Sequence, residues 1–194
     1  MRWYWVVDCD NTVEDPLVID AHDFGSIDEG ALRAGLPIQA WSQAASLRAR
    51  KPEDDGTPDD VLQNHLGVPV YSRRLRAALE KAGIQGFQFL LVRVFRPSGD
   101  EIAGFSIANV IERRVALDKA ASDIEVFPAD YFLPERRGRV RSVRKPVLLA
   151  TALQGCDVVR LDEFSASVYV SERFKATFED GKHTGYSFHE VKVA

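Results

Sequence analysis

Ser72-Arg73-Arg74-Leu75-Arg76-Ala77-Ala78-Leu79-Glu80, followed by Gly86-Phe87-Gln88-Phe89, returns without a gap 99 residues later. The second copy reads Ser171-Glu172-Arg173-Phe174-Lys175-Ala176-Thr177-Phe178-Glu179, then Gly185-Tyr186-Ser187-Phe188. Ser72, Arg74, Ala77, Glu80, Gly86, Phe89 and Val92 are each matched by an identical residue. Val68 and Val70, like Val168 and Val170, alternate as strand residues do. Each serine is placed to cap a helix, its hydroxyl accepting from a backbone N–H of the first turn. Leu75 and Leu79, like Phe174 and Phe178, lie four apart and so share one helix face. Gly83 and Gly181 are predicted to stop the helices at positive φ. Alternating aromatics then open a new strand. The sequence therefore predicts strand, helix, strand twice, over 68–96 and 167–194. Two copies are too few for a solenoid, so the unit reads as scaffolding.

Outward from the repeat, Trp3–Val7 is an expected first strand. Ser26–Ala34 is an expected short helix, capped by Ser26 and stopped by Gly35. Phe87–Arg96 and Ile102–Arg113 form an expected hairpin around Pro97-Ser98-Gly99-Asp100. Ile124–Phe127 and Val158–Leu161 are further expected strands. Lys51–Asp60 and the basic run Arg136–Lys145 read as exposed loops. Strands outnumber helices, which makes the class α+β, with a largely antiparallel sheet and a few short helices. The expected organisation is a strand and helix extension over 1–67, packed on or continuous with a domain over 68–194.

The chain has 194 residues, 45% of them hydrophobic and 28% charged, which excludes disordered and collagen-like architectures. The longest apolar runs are far too short to cross a bilayer. The N-terminus lacks the pattern of a signal peptide, since Asp8 and Asp10 interrupt the opening apolar run. Two cysteines, Cys9 and Cys156, make no disulfide framework, and the cytoplasm is the expected compartment. A net charge of −4 argues against nucleic acid as a partner of the whole chain. The charge is uneven: the first 60 residues carry 13 acidic and 5 basic side chains, and the remainder 16 and 20.

Two chemistries deserve weighing. Asp8-Cys9-Asp10-Asn11-Thr12 after an apolar strand is similar to the first motif of the haloacid-dehalogenase-like phosphatases. In that family the matching Asp8 would be the nucleophile and Asp10 the general acid/base, with magnesium between carboxylate and phosphate. The lysine, the second strand-ending Ser/Thr and the acidic pair that this chemistry needs have no clear counterparts, so it stands as one alternative, the other being a generic protein-binding module. His22, His65, His183 and His189 are scattered without metal-ligand spacing, and no cofactor or metal is expected. His183 and His189 fall where the first copy has Ile84 and Leu90, which reads as surface variation. No Ser-His-Asp set is nominated, Ser72 and Ser171 being explained as caps. The run Arg136–Lys145 holds no aromatic residue to stack on a base, which favours a solvated loop. The acidic loop, Glu53-Asp54-Asp55 with Asp59-Asp60, is the candidate contact for a basic partner groove.

Four stretches carry a resemblance: Gly104–Ile111; Ala116-Leu117-Asp118-Lys119 with Ser122; Val158-Val159-Arg160-Leu161; and Val168–Lys175 closing on Thr184–Phe188. Together they resemble a family of immunity proteins from polymorphic toxin systems, long known only as a domain of unknown function. The resemblance covers about residues 68–194 and is strongest in the last thirty. It implies a bacterial cytoplasmic protein, encoded beside a secreted toxin, that protects its producer by binding that toxin. It implies no enzyme activity and no cofactor; neither membrane nor nucleic acid is expected as a partner on apolar run length and charge, and the oligomeric state stays open. Partner specificity is then expected in the divergent residues 1–67, with Glu53, Asp54, Asp55, Asp59 and Asp60 as candidate toxin contacts.

Overall fold

Each serine does open a helix. In the computed structural model, which describes residues 2–8 and 13–194 (Val7 and Asp8 in backbone only), Ser72 and Ser171 have extended backbones. Their hydroxyls accept from Leu75 N at 3.1 Å and Phe174 N at 3.2 Å.

In chain order the elements are β1 (Trp3–Asp8), β2 (Val18–Ile19), β3 (Ala21–Asp23), α1 (Glu29–Arg33), β4 (Ser46–Arg48), β5 (Gln63–Asn64), β6 (Val70–Ser72) and α2 (Arg73–Lys81). Next come β7 (Phe87–Phe95), β8 (Glu101–Val110), β9 (Arg113–Arg114), β10 (Asp123–Val126) and β11 (Val140–Lys145). The last are β12 (Val147–Leu148), β13 (Val158–Leu161), β14 (Val168–Ser171), α3 (Glu172–Asp180) and β15 (Tyr186–Val193). The class is α+β. A five-stranded sheet has the order β3-β4-β7-β8-β6, and a six-stranded sheet has β12-β15-β1-β14-β13-β9. Most pairs are antiparallel; β4/β7, β12/β15, β13/β9 and the small β2/β5 pair are parallel.

The two repeated segments meet their neighbours in the same register. Tyr71 lies opposite Ser106 and Ser72 opposite Phe105 on β8, while Leu91 and Val92 flank the same two residues from the other side. Correspondingly, Val170 and Ser171 lie opposite Tyr4 and Trp3 on β1, with Glu190 and Val191 on the far side. The strand between the two repeat strands is β8, the hairpin partner of β7, in one sheet and β1 in the other. Residues 1–67 thus supply strands to both sheets: β1 to one, β3 and β4 to the other.

Side chains alternate between two faces along each strand, and β13 and β14 are buried on both, whereas β7 buries Leu90, Val92 and Val94 and leaves Leu91 and Arg93 exposed. Tyr4, Val6, Val168 and Val170 face the helices, where Leu75, Leu79, Phe174 and Phe178 form one core with Ala108 and Val110 of β8. Trp3, Val159, Leu161 and Tyr169 face the opposite way, onto Leu117, Leu148 and Leu153. Leu90, Val92, Phe105 and Ile107 face a third cluster with Leu17, Ile19, Phe24, Leu32 and Leu62.

Several local expectations are corrected. The first helix is only Glu29–Arg33, and its cap is Asp28, not Ser26, because the Asp28 carboxylate accepts from Gly30 N. Gly35 does take positive φ beyond it. Gly83 stops α2 at φ +69°, but Gly181 has φ −74°, and Lys182 bears the left-handed turn at φ +49°. A Cβ on Gly181 would press on the His183 ring, so that glycine is there for space. Residues 140–145 are not a loop but strand β11, paired antiparallel with β10.

Both capping serines also donate to a carboxylate: Ser72 to Asp60 at 2.5 Å, Ser171 to Asp157 at 2.6 Å. Loss of a cap costs about 1 kcal/mol. A hydrogen bond to a charged group adds about 1.5–3 kcal/mol. Ser72→Ala and Ser171→Ala are therefore each expected to cost about 2 kcal/mol or more by urea denaturation. A loss under about 0.5 kcal/mol, the size of an ordinary surface substitution, would remove both roles.

Candidate interaction surface

The acidic segment splits. Glu53 and Asp55 are exposed and Asp54 half-buried, the first two turns of the segment being shaped by Pro52. Asp55 is held by Arg96 at 2.5 Å. Asp59 and Asp60, expected on the loop surface, are buried. Asp59 accepts from Val13 N at 3.0 Å. Asp60 receives Ser72 Oγ and both Nε and Nη2 of Arg74, with Thr184 N at 3.4 Å. His183 Nδ1 stands 3.0 Å from Asp60 Oδ2, near enough for an ion pair though poorly aligned for a hydrogen bond. These two aspartates tie the chain together from inside.

A matching knot forms around Asp157, gripped by Ser171 and by Arg173. Arg74 also donates to the carbonyls of Gly181 and Lys182 beyond α3, and Arg173 to that of Gly83 beyond α2. Each arginine near one helix start therefore closes the other helix end, so the helices run antiparallel, with a cation at each C-terminus where the macrodipole favours it. His183 is buried, in correction of its reading as surface variation; His189 is exposed. The first copy fills the equivalent buried place with Ile84.

Burial works to raise the Asp60 pKa, but the hydrogen bonds from Arg74 and Ser72 and the adjacent His183 outweigh it and hold the carboxyl below its ordinary value. A depressed folded pKa contributes stability that is complete above the unfolded value, about 3.9, and is lost as pH falls through the folded one. Stability is therefore expected to decline below about pH 4, with a shallower decline in Asp60→Asn. Unfolding free energies measured across this range check it; parallel curves for the two proteins would remove Asp60 as a source.

Ser72, Asp60 and His183 bring the residue types of a hydrolase triad together in an order that does not work. The aspartate sits between serine and histidine, whereas catalysis needs the imidazole next to the hydroxyl. The Ser72 hydroxyl is already committed as cap and donor. Asp10 and Cys9 of the phosphatase-like motif lie outside the described residues, as does the Asp8 side chain. Among the described residues no group of His, Cys, Asp and Glu is arranged to hold a metal. The Cys156 thiol is pushed up by burial, which keeps it protonated at neutral pH.

What does gather at the surface is the basic run, expected as a solvated loop, together with aromatic side chains that the sequence did not tie to it. The β10–β11 ribbon forms its own two-stranded sheet, apart from the two large ones. One face anchors it: Ile124, Val140 and Val143 pack on the core around Trp3 and Leu148. At its far end Phe127, Tyr131 and Phe132 pack in series as tilted rings, with centroids 4.6 Å apart at each step. Arg136 and Arg141 lie over the Phe127 ring at 5.8 and 5.9 Å. Phe132 is 74% exposed and Val126 49%. The basic run does have aromatic neighbours; they precede it in sequence and are folded back onto it by the turn through Pro128 and Pro134.

An α+β framework whose buried polar knots are spent internally thus presents, at the end of this ribbon, a cluster of aromatic and cationic side chains. The chain matches the model of the immunity protein family (Imm11) over residues 4–193, and it belongs to that family. The match includes the N-terminal residues that the sequence resemblance had left out. No curated protein matches it. No helix among the described residues is long and apolar enough to cross a membrane.

Proposed function

We propose that this chain is a non-enzymatic immunity protein that binds and neutralises a cognate toxin in the cytoplasm of the cell that makes both. The observation that carries this reading is the family match over nearly the whole chain. The surface chemistry agrees with it, since aromatic and arginine side chains are enriched where proteins bind tightly. A stable complex of this kind buries about 1,600 Å² in total. Of the five carboxylates expected to meet the toxin, Asp55 is held by Arg96 and Asp59 and Asp60 are buried, which leaves Glu53 and Asp54 as the ones to test. Replacing both with Ser and Asn measures their part, because steering charges speed association at low salt. The function itself is tested by co-expression with the toxin gene that adjoins this one. Cells carrying both are expected to grow, and cells carrying the toxin alone to die. Death in both cases would refute the reading.

A further inference from the structure

We infer that the tip of the β10–β11 ribbon is the docking surface for an acidic patch on the toxin, with Phe132 and Tyr131 as apolar anchors and Arg136, Arg139 and Arg141 as the surrounding charge. This rests on the immunity reading and adds to it the face used and the chemistry of the partner.

Charge argues first. Arg144 is saturated by Asp123 and Glu125, at 2.7 and 2.5 Å, so the ribbon's own carboxylates are consumed near its base. Among the described residues Arg136, Arg137, Arg139 and Arg141 have no carboxylate at ion-pair distance. Asp130 and Glu135 are the other acidic side chains of the tip, and they do not balance four guanidiniums. Most arginines elsewhere are paired, since Arg33, Arg50, Arg93, Arg96, Arg113 and Arg114 all hold carboxylates, while Arg48 lies over the Phe95 ring instead. An unpaired cluster beside exposed rings is thus a local exception, and it is complementary to carboxylates supplied from outside.

Order argues second. The tip is not a loose loop. Phe127 N and Gly138 N continue the ladder to Arg139 O and Phe127 O at 2.9 and 3.0 Å. Tyr131 N, Arg136 N and Arg137 N close successive turns, and Arg137 Nε holds the Tyr131 carbonyl at 2.8 Å. Exposed rings fixed in place before binding lose little freedom on docking, so more of their burial appears as affinity. Val126 and Phe132 offer apolar contact that an acidic protein surface can cover. A nucleic acid would leave Val126 with nothing to pack against, and the chain's net charge of −4 disfavours it further.

The probe is the toxin domain encoded next to this chain, purified with its activity disabled. Phe132→Ala is expected to weaken binding by about 30-fold, the loss of a central anchor. Arg136→Glu with Arg141→Glu is expected to slow association by about tenfold at low salt, with the difference vanishing near 0.5 M, where screening is about 4 Å. Both sets of residues are exposed, so an unchanged melting temperature shows that the fold is retained. Binding by both variants within about twofold of the original would overturn the inference, while rescue of toxin-expressing cells would leave the immunity function standing. Tight binding of single-stranded RNA or duplex DNA, lost in the charge-reversed variant and kept in Phe132→Ala, would also overturn it in favour of a phosphate-binding arm. A folded original chain that neither binds the toxin nor protects cells would remove the immunity reading, and this inference with it.

Discussion

Asp60→Ala is expected to lower the unfolding free energy by about 3 kcal/mol, the low end of what breaking a buried ion pair costs. The carboxylate side chain is 8% exposed and serves Ser72, Arg74 and Thr184 at once, with His183 alongside. Removing it strands a hydroxyl, a backbone N–H and a histidine in the interior. The Arg74 guanidinium, 57% exposed, recovers water and so limits the loss. Asp157→Ala removes a knot of the same design without the histidine, and is expected to cost about 2 kcal/mol. Urea midpoints with unchanged slope would show these as stability changes alone. An Asp60 variant no weaker than the Asp157 variant would mean that the buried His183 contributes nothing.

Phe178→Ala is expected to cost about 4 kcal/mol, within the range for deleting a buried ring. Phe178 is 1% exposed and meets Tyr186, Phe188 and His183 with ring centroids 5.7, 5.3 and 5.6 Å away. It lies where α3 presses on β15, so the cavity cannot collapse without moving a sheet. Phe178→Leu retains most of the volume and is expected to cost under about 1.5 kcal/mol. Equal losses in the two variants would point to lost ring contacts instead of an unfilled cavity.

The two helices were legible because capping and four-residue spacing are local signals that survive without knowledge of the rest of the chain. Ser72 with Leu75 and Leu79, and Ser171 with Phe174 and Phe178, each carry both. The partners of those serines were not legible. Asp60 precedes Ser72 by 12 residues and Asp157 precedes Ser171 by 14, so an ungapped match misses them. The signal was present as Asp60-Val61-Leu62 against Asp157-Val158-Val159. Gly86 and Gly185, both at φ +102°, lie against Val158 and Val61 of these same stretches, where a Cβ would collide. The central place of β1 was hidden for a different reason: strand pairing across more than 160 residues leaves no periodic trace. On the arm, Val140 and Val143 alternate too irregularly with charge to announce a strand, and the register of β10 with β11 is itself broken by bulges. Its aromatics sit outside the basic run, and only the turn brings them to it.

The lodging of Trp3–Asp8 between β14 and β15 has a consequence for biosynthesis. During translation β1 leaves the ribosome long before either of its neighbours. Its edges have no ladder to join until β14 and β15 have emerged, and contacts of such long sequence separation form slowly. The five-stranded sheet, complete by Val110, has no such delay. The six-stranded sheet therefore closes only once β14 and β15 have been made, whatever has already folded upstream of them.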